Sequence, residues 1–371
     1  MGIILFNFVV QLRDSDQPYP FCHDGPLFHR WLPDGEKDAI VLDTGDPQAE
    51  LKVSFERRGF MDGGHVRFRW DCREVDPTVI PRQAVLEGGY MVGWLKIEVP
   101  DEELENLRKV ATGDPAYEAL GKRVVRLIYP PVNKLINLLR ANYGQYWLKE
   151  MWKWDSRSNS LGSYCAGLGV RWSLDDRKTW SDFSPTKRVS SHSAAARMPS
   201  DEDFRRELLT EDDWRELPNV VNGGYEPPLA AFTLTRAYQL LDQGHLRQAF
   251  IEGVTALEVA LDDYVKQHRG ASKTLAGHLE QFHTLPLQTK VAAIAVLSGL
   301  IAAQDVDDTI AAYKVRNLIV HDGAHPSDSD EPKLSVLLRT AAALVPGPKF
   351  RFLRTHTQNM LSPPEADGAG G

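Results

Sequence analysis

Cysteine is scarce in this chain: Cys22, Cys72 and Cys165 are its three, in 371 residues. They are widely spaced, odd in number and without a C-x-x-C pair. That pattern excludes a disulfide framework and a thiolate zinc site, and points to a reducing compartment. Long apolar runs are also missing: none approaches the ~20 residues that a membrane span needs. The opening MGIILFNFVVQLR has no basic n-region and no A-x-A-like cleavage site, so it reads as a first strand, not a signal peptide. Phe6 stands where N-myristoylation needs Ser or Thr. An excess of positive charge is lacking too. Lys plus Arg total 43 against 51 Asp plus Glu, a net charge of −8. This disfavours a basic face spread along nucleic acid and leaves room for a small local basic pocket. There is no P-loop and no G-x-S-x-G elbow, and CAGLGV lacks the third glycine and preceding strand of a dinucleotide fingerprint. The expectation is a soluble, cytoplasmic protein with no membrane partner, no cofactor and no metal.

What is present reads as an α+β chain, a β-rich or mixed amino-terminal region followed by an all-α helical bundle. The length predicts at least two domains, and 42% hydrophobic with 25% charged residues is ordinary globular composition. Residues 1–155 form the first region. IILFNFVV, DAIVLD, AELKVSFE and GHVRFRWDC are short, rich in β-branched and aromatic residues, and bounded by Gly, Pro and Asp. Helical signals begin at DEELENLRKVA, acidic at its start. In the long helical stretch that follows, Pro130 and Pro131 predict the end or kink of one helix and the start of another. Residues 156–227 read as a polar, Ser-rich linker, with a strand somewhere within NSLGSYCAGLGVRW, and an acidic helix with Ser200 as N-cap and Asp203 at its third position. From 228 to 345 strand signals vanish, and five or six helices rich in Ala and Leu follow with short connections. Residues 346–371 read as a tail disordered at its end.

One stretch of that bundle raises a chemical question. YKVRNLIVHDGA, Tyr313 to Ala324, sets Arg316 and His321 in a run of Val, Leu and Ile, where desolvation penalises both. At 100° per residue, Arg316, Asn317 and His321 share one side of a helix with Tyr313, and Val315, Leu318 and Ile319 share the other and are expected to pack inward. Gly323 suits the C′ position, which puts His321 in the last turn. Two readings stand side by side. In one, His321 satisfies the last carbonyls and the helix dipole, and Arg316 pairs with Glu258 on an earlier helix. In the other, the triplet handles a phosphate.

The stretch resembles the end of an Apea-like HEPN domain (higher eukaryotes and prokaryotes nucleotide-binding). That family's signature is Arg, four to six residues, then His, often with Asn, Asp or His after the Arg; R-N-L-I-V-H, Arg316 to His321, matches. AYQLLDQGHLRQAFIEGVTALEVALDDYV is similar to the family's opening helical hairpin, with the mid-helix acid at Glu258. The resemblance covers residues 228–345. It implies a metal-independent endoribonuclease of the phage-defence or toxin kind, leaving 2′,3′-cyclic phosphate and 5′-OH ends. It also implies RNA as substrate, a two-fold dimer whose cleft takes one motif from each copy, and a trigger or regulator yet to be identified. A histidine can give or take a proton near pH ~6.5, and an arginine fork can hold the charge that grows on the phosphorane. His321 is then the general acid/base, Arg316 the phosphate clamp and Asn317 the orienter, with Glu258 and Tyr313 in support. The alternative is a non-catalytic HEPN module that dimerises and binds nucleotide, RNA or a partner protein.

Other candidates are weaker. His278 and His283 lie five apart and do not share a helix face, and His321, Asp322 and His325 span a glycine turn without further ligands. The cluster YGQYWLKEMWKWD, Tyr143 to Asp155, interleaves Trp and Lys as a base-stacking surface does, yet its size favours a place in the core.

Overall fold

The computed structural model describes residues 2–10, 12, 25–29, 31–55, 60–61, 65–67, 74–75, 85–88, 91–109, 114–151, 168–183, 195–197, 208–268 and 281–345. The fold class is α+β, an antiparallel sheet followed by helices. The chain divides into two compact units. The first comprises Met1–Leu139, Trp147–Ser200 and Leu208–Glu226; the second comprises Arg140–Tyr146, Asp201–Glu207 and Pro227–Gly371. Among the described residues, no helix is long and apolar enough to cross a membrane.

The strands of the first unit are β1 Gly2–Val10, β2 Leu27–His29, β3 Ile40–Leu42, β4 Ala49–Phe55, β5 Phe60–Met61, β6 His65–Arg67, β7 Glu74–Val75, β8 Val85–Glu87, β9 Met91–Val99, β10 Leu168–Ser173, β11 Ser181–Asp182 and β12 Ala195–Arg197. Six of them form one sheet in the order β11-β10-β1-β9-β4-β3, and two three-stranded sheets run β12-β8-β2 and β5-β6-β7. Period-two alternation sets the faces of the large sheet. Ile4, Phe6 and Phe8 of β1, Leu95 and Ile97 of β9, and Leu51, Val53 and Phe55 of β4 are all at most 1% exposed. The register places Phe6 opposite Leu95 and Phe8 opposite Gly93. A β-carbon on Gly93 would lie 2.0 Å from Cζ of Phe8, so this strand tolerates no side chain there.

The helices of this unit are α1 Asp101–Leu107, α2 Pro115–Asn142 and α3 Glu211–Asn222. The buried face of the sheet takes Tyr117 of α2, whose ring meets Phe183 and Trp172, and Trp214 of α3, whose ring meets Phe28 and Phe55. Contrary to the expectation of a break, α2 runs unbroken through Pro130 and Pro131. Each proline removes a helical hydrogen bond and costs about 3 kcal/mol. Burial offsets this: Val124, Leu127, Ile128, Val132, Leu135 and Ile136 are 0–4% exposed on both sides of the pair, each contributing roughly 1.5–3 kcal/mol.

The supposed linker also proves partly structural. β10 and β11 form a hairpin at the edge of the large sheet, and Phe183, just beyond it, is buried. The helix of this stretch is α3, with Thr210 as N-cap in a capping box with Asp213; Ser200 and Asp203 lie outside the described residues. The strand read within NSLGSYCAGLGVRW falls at its end, in β10, the residues before 168 lying outside those described, and a hairpin with a polar, exposed turn reads in sequence like a linker.

In the second unit the helices are α4 Leu229–Asp242, α5 Leu246–His268, α6 Leu287–Ser298, α7 Ala303–His321 and α8 Glu331–Leu344. α6 stops at Gly299, φ 66°, so the following Leu300 to Ala302 are not helical. Their core gathers Phe250, Val254, Leu257 and Leu261 of α5 with Ile319 of α7 and Leu334, Leu337 and Leu338 of α8. Thr309 and Thr340 meet inside it, hydroxyl to hydroxyl at 3.0 Å.

Candidate functional site

The candidate site is the last two turns of α7. Thr309, Ala312 and Ile319 are buried on its inner side, and Tyr313 and Val315 pack half-buried against the core. The helix ends where Gly323 adopts φ 68°. The N–H groups of Asp322 and Ala324 both donate to the carbonyl of Leu318, at 2.9 and 3.2 Å. The last turn is thus closed by backbone donors, and the exposed imidazole of His321 makes no hydrogen bond among the described residues.

Arg316 lies only about 60° from Ile319 on the wheel, at the edge of the buried side. Its stem is half-buried, its Nε is buried without a hydrogen-bond partner, and its Nη1 donates to Oδ1 of Asn317 at 3.2 Å. Asn317 is half-buried and His321 points to solvent. Arg316 and Asn317 are therefore joined, and His321 stands one turn beyond Asn317 without a bond to either. No ion pair joins Glu258, half-buried on α5, to Arg316, and Tyr313 donates no hydrogen bond to the triplet.

One expectation fails. Leu318 was expected to pack inward, but it is 51% exposed, and Val320 is 47% exposed. Ile319 and Ala312 set the centre of the buried face, and Leu318 lies about 100° to one side of it. Of the weaker candidates, His278 and the side chain of His283 lie outside what is described. Among the described residues no three His, Cys, Asp or Glu side chains gather as metal ligands. Tyr143, Tyr146 and Trp147 are buried at 2%, 9% and 5%, and Trp147 donates to the carbonyl of Gly25 at 2.8 Å; Trp152 and Trp154 lie outside the described residues.

Two other features carry charge in places that sequence reading missed. Lys290 of α6 is 9% exposed, 3.2 Å from Asp262 and 5.7 Å from the ring centre of Phe282; a paired, ring-capped lysine of this kind is structural. In the first unit, Trp94 and Trp180 line a common cleft. The alternation of MVGWLKIEV, with Trp94, Lys96 and Glu98 on its polar phase, was the available signal for a strand with a functional outer face. Compared with known proteins, the chain matches no family model, no curated protein and no solved structure.

Proposed function

We propose that the chain is a metal-independent endoribonuclease of the HEPN type, acting in phage defence or as an RNA-cleaving toxin. The observation that carries this reading is the end of α7. There an exposed His321 stands one turn from an Arg316–Asn317 pair at the open end of a helix. The two contacts that a purely structural reading requires are both missing among the described residues. His321 bonds no carbonyl of its own helix, and Glu258 does not neutralise Arg316.

In the proposed reaction, an imidazole removes the proton of a ribose 2′-OH. The oxygen attacks the adjacent phosphorus, the P–O5′ bond breaks, and a second imidazole protonates the leaving 5′ oxygen. The products are a 2′,3′-cyclic phosphate and a 5′-OH. The guanidinium of Arg316 holds the phosphorane oxygens, and Asn317 fixes the fork through its bond to Nη1. Each chain contributes one such histidine, so a two-fold dimer would supply base and acid together. The exposed Leu318 and Val320 beside the triplet are compatible with such a contact. They also favour a second reading, a HEPN module that docks a partner without cleaving.

The test compares purified wild type with His321→Ala and Arg316→Ala on total RNA in EDTA, with end-group analysis of the fragments. We expect cyclic-phosphate ends from the wild type and a loss of at least about 100-fold in each variant, with melting temperature and oligomeric state retained. Cleavage that persists undiminished in both variants would sink the assignment.

A further inference from the structure

The first unit carries a shallow cleft on the open face of its six-stranded sheet, with a cavity volume of about 80 Å3. Its floor is the outer phase of the alternation, with Trp94 and Lys96 on β9, Lys52 on β4 and Leu5 on β1. The register sets Trp94 directly beside Lys52 and Leu5 beside Lys96. Its wall is the β10–β11 turn, which brings Arg177 and Trp180 over the sheet.

That turn is held by force. Asp176 and Arg177 adopt φ 57° and 69°, two consecutive non-glycine residues in the left-handed region, each costing about 1–3 kcal/mol. Asp175 fastens it, accepting from the Ser173 hydroxyl at 2.8 Å, the Thr179 N–H at 2.9 Å and the Thr179 hydroxyl at 2.5 Å. The result is that Arg177 reaches Glu36, which follows Gly35 in a short 3-10 turn, through two parallel bonds of 2.7 Å.

The tryptophans in this cleft differ from the other described ones. Trp31 and Trp172 have ring contacts, Trp147 donates to a carbonyl, and Trp214 has both. Among the described residues, Trp94 and Trp180 have neither a ring contact nor a partner for the indole N–H, although both are half-buried. Neither indole is engaged by another ring of the described fold, and both line the cleft. The charges around them are matched in contrast. Lys52 sits 2.6 Å from Glu50, Lys96 2.9 Å from Glu98, and Arg177 is bonded to Glu36.

We infer that this cleft binds a nucleobase, stacked on Trp94 and Trp180, with the base edge read by the paired ammonium, guanidinium and carboxylate groups at the rim. Stacking on indole suits any base. A base edge sets donors beside acceptors, and so do the pairs Arg177–Glu36 and Lys52–Glu50. A bare anion would have to displace the carboxylates, a bare cation would meet three positive groups, and a hydrocarbon would leave the rim unsatisfied. The base has two sources, a free nucleotide or a single-stranded RNA. The inference does not depend on the nuclease reading.

The experiment uses the full chain and isothermal titration with AMP, GMP, CMP and UMP, and with 2′-O-methyl hexanucleotides, whose blocked 2′ oxygens prevent cleavage. Trp94→Ala and Trp180→Ala are each expected to weaken binding by roughly tenfold or more, with Trp94→Phe and Trp180→Phe in between. The Phe variants also serve if an Ala variant fails to fold. A mononucleotide bound as tightly as the hexamers identifies a free nucleotide; tighter hexamer binding identifies a strand. Either supports the inference if the tryptophan variants lose it. Absence of saturable binding of every probe to the folded wild type overturns it. So does binding that is unchanged in the tryptophan variants but lost in Arg316→Ala, which would move it to α7.

Discussion

Arg177 and Arg316 sit in opposite electrostatic settings. Arg177, on the open face of the sheet, is locked to Glu36 by a bidentate pair, and the two lysines near it each have a carboxylate within 3 Å. Arg316, at the end of α7, has an amide as its hydrogen-bond partner and a buried Nε with none. A paired arginine keeps its surroundings near neutral and presents donors and acceptors together. An arginine without an acid keeps its full charge for an incoming anion. The sheet face thus suits a neutral, planar ligand, and the helix end suits a phosphate.

The largest expected effect tests the helix end. His321→Ala should remove cleavage by two orders of magnitude or more and leave base binding at the sheet intact, measured side by side on one preparation. Arg316→Lys sharpens the point: it keeps the charge and loses the fork, so activity should fall by about tenfold or more. Next in size is Gly93→Val. Its β-carbon would collide with the Phe8 ring, and overpacking of this kind costs about 1–3 kcal/mol. Urea unfolding should show the loss, with the same variant weakening base binding through Trp94 next door. Arg177→Ala is expected to lower stability by less than ~1 kcal/mol, since the pair is largely exposed. It should nonetheless weaken base binding by opening the wall. An effect confined to stability would break the comparison.

The smallest effect is a pH dependence in the second unit. Bonds from the Lys333 ammonium and then the Ser327 N–H hold the Asp330 carboxyl down at about 2. A carboxyl whose folded value lies below its unfolded value of ~3.9 stabilises the fold above that unfolded value, and the contribution fades as pH falls toward 2. Asp330→Asn should therefore lower the melting temperature slightly at pH 7, converge with wild type near pH 2, and flatten the slope between. Asp175 is also held at about 2, chiefly by the Thr179 hydroxyl, so the acid response of the β10–β11 turn should follow the same sign.

Much of the fold was legible because local patterns agreed with burial. The alternation of IILFNFVV became β1, and the helical periods from Leu229 onward became α4 to α8. The places where reading failed share a cause. The Pro130–Pro131 pair looks like a break because its local cost is visible in sequence, whereas the burial on both sides of it is not. The hairpin around Trp180 looks like linker because its residues are polar, and their order comes from the Asp175 network and from pairing with β1. The triplet at Arg316, Asn317 and His321 was placed on one helix by spacing alone, but spacing could not say that Arg316 would turn toward the core edge or that Leu318 would face solvent. Trp94 and Trp180 are 86 positions apart, and no local pattern joins residues at that distance.

By itself, then, the sequence determined the periods: where strands alternate, where helices run and stop, and which polar residues share the last turns of α7. Those depend on interactions within a few residues. The tertiary structure alone decided which apolar faces are covered, which charges find partners and which tryptophans come together in one cleft. Those depend on contacts between segments distant in the chain, where burial of whole surfaces outweighs the preferences of single residues.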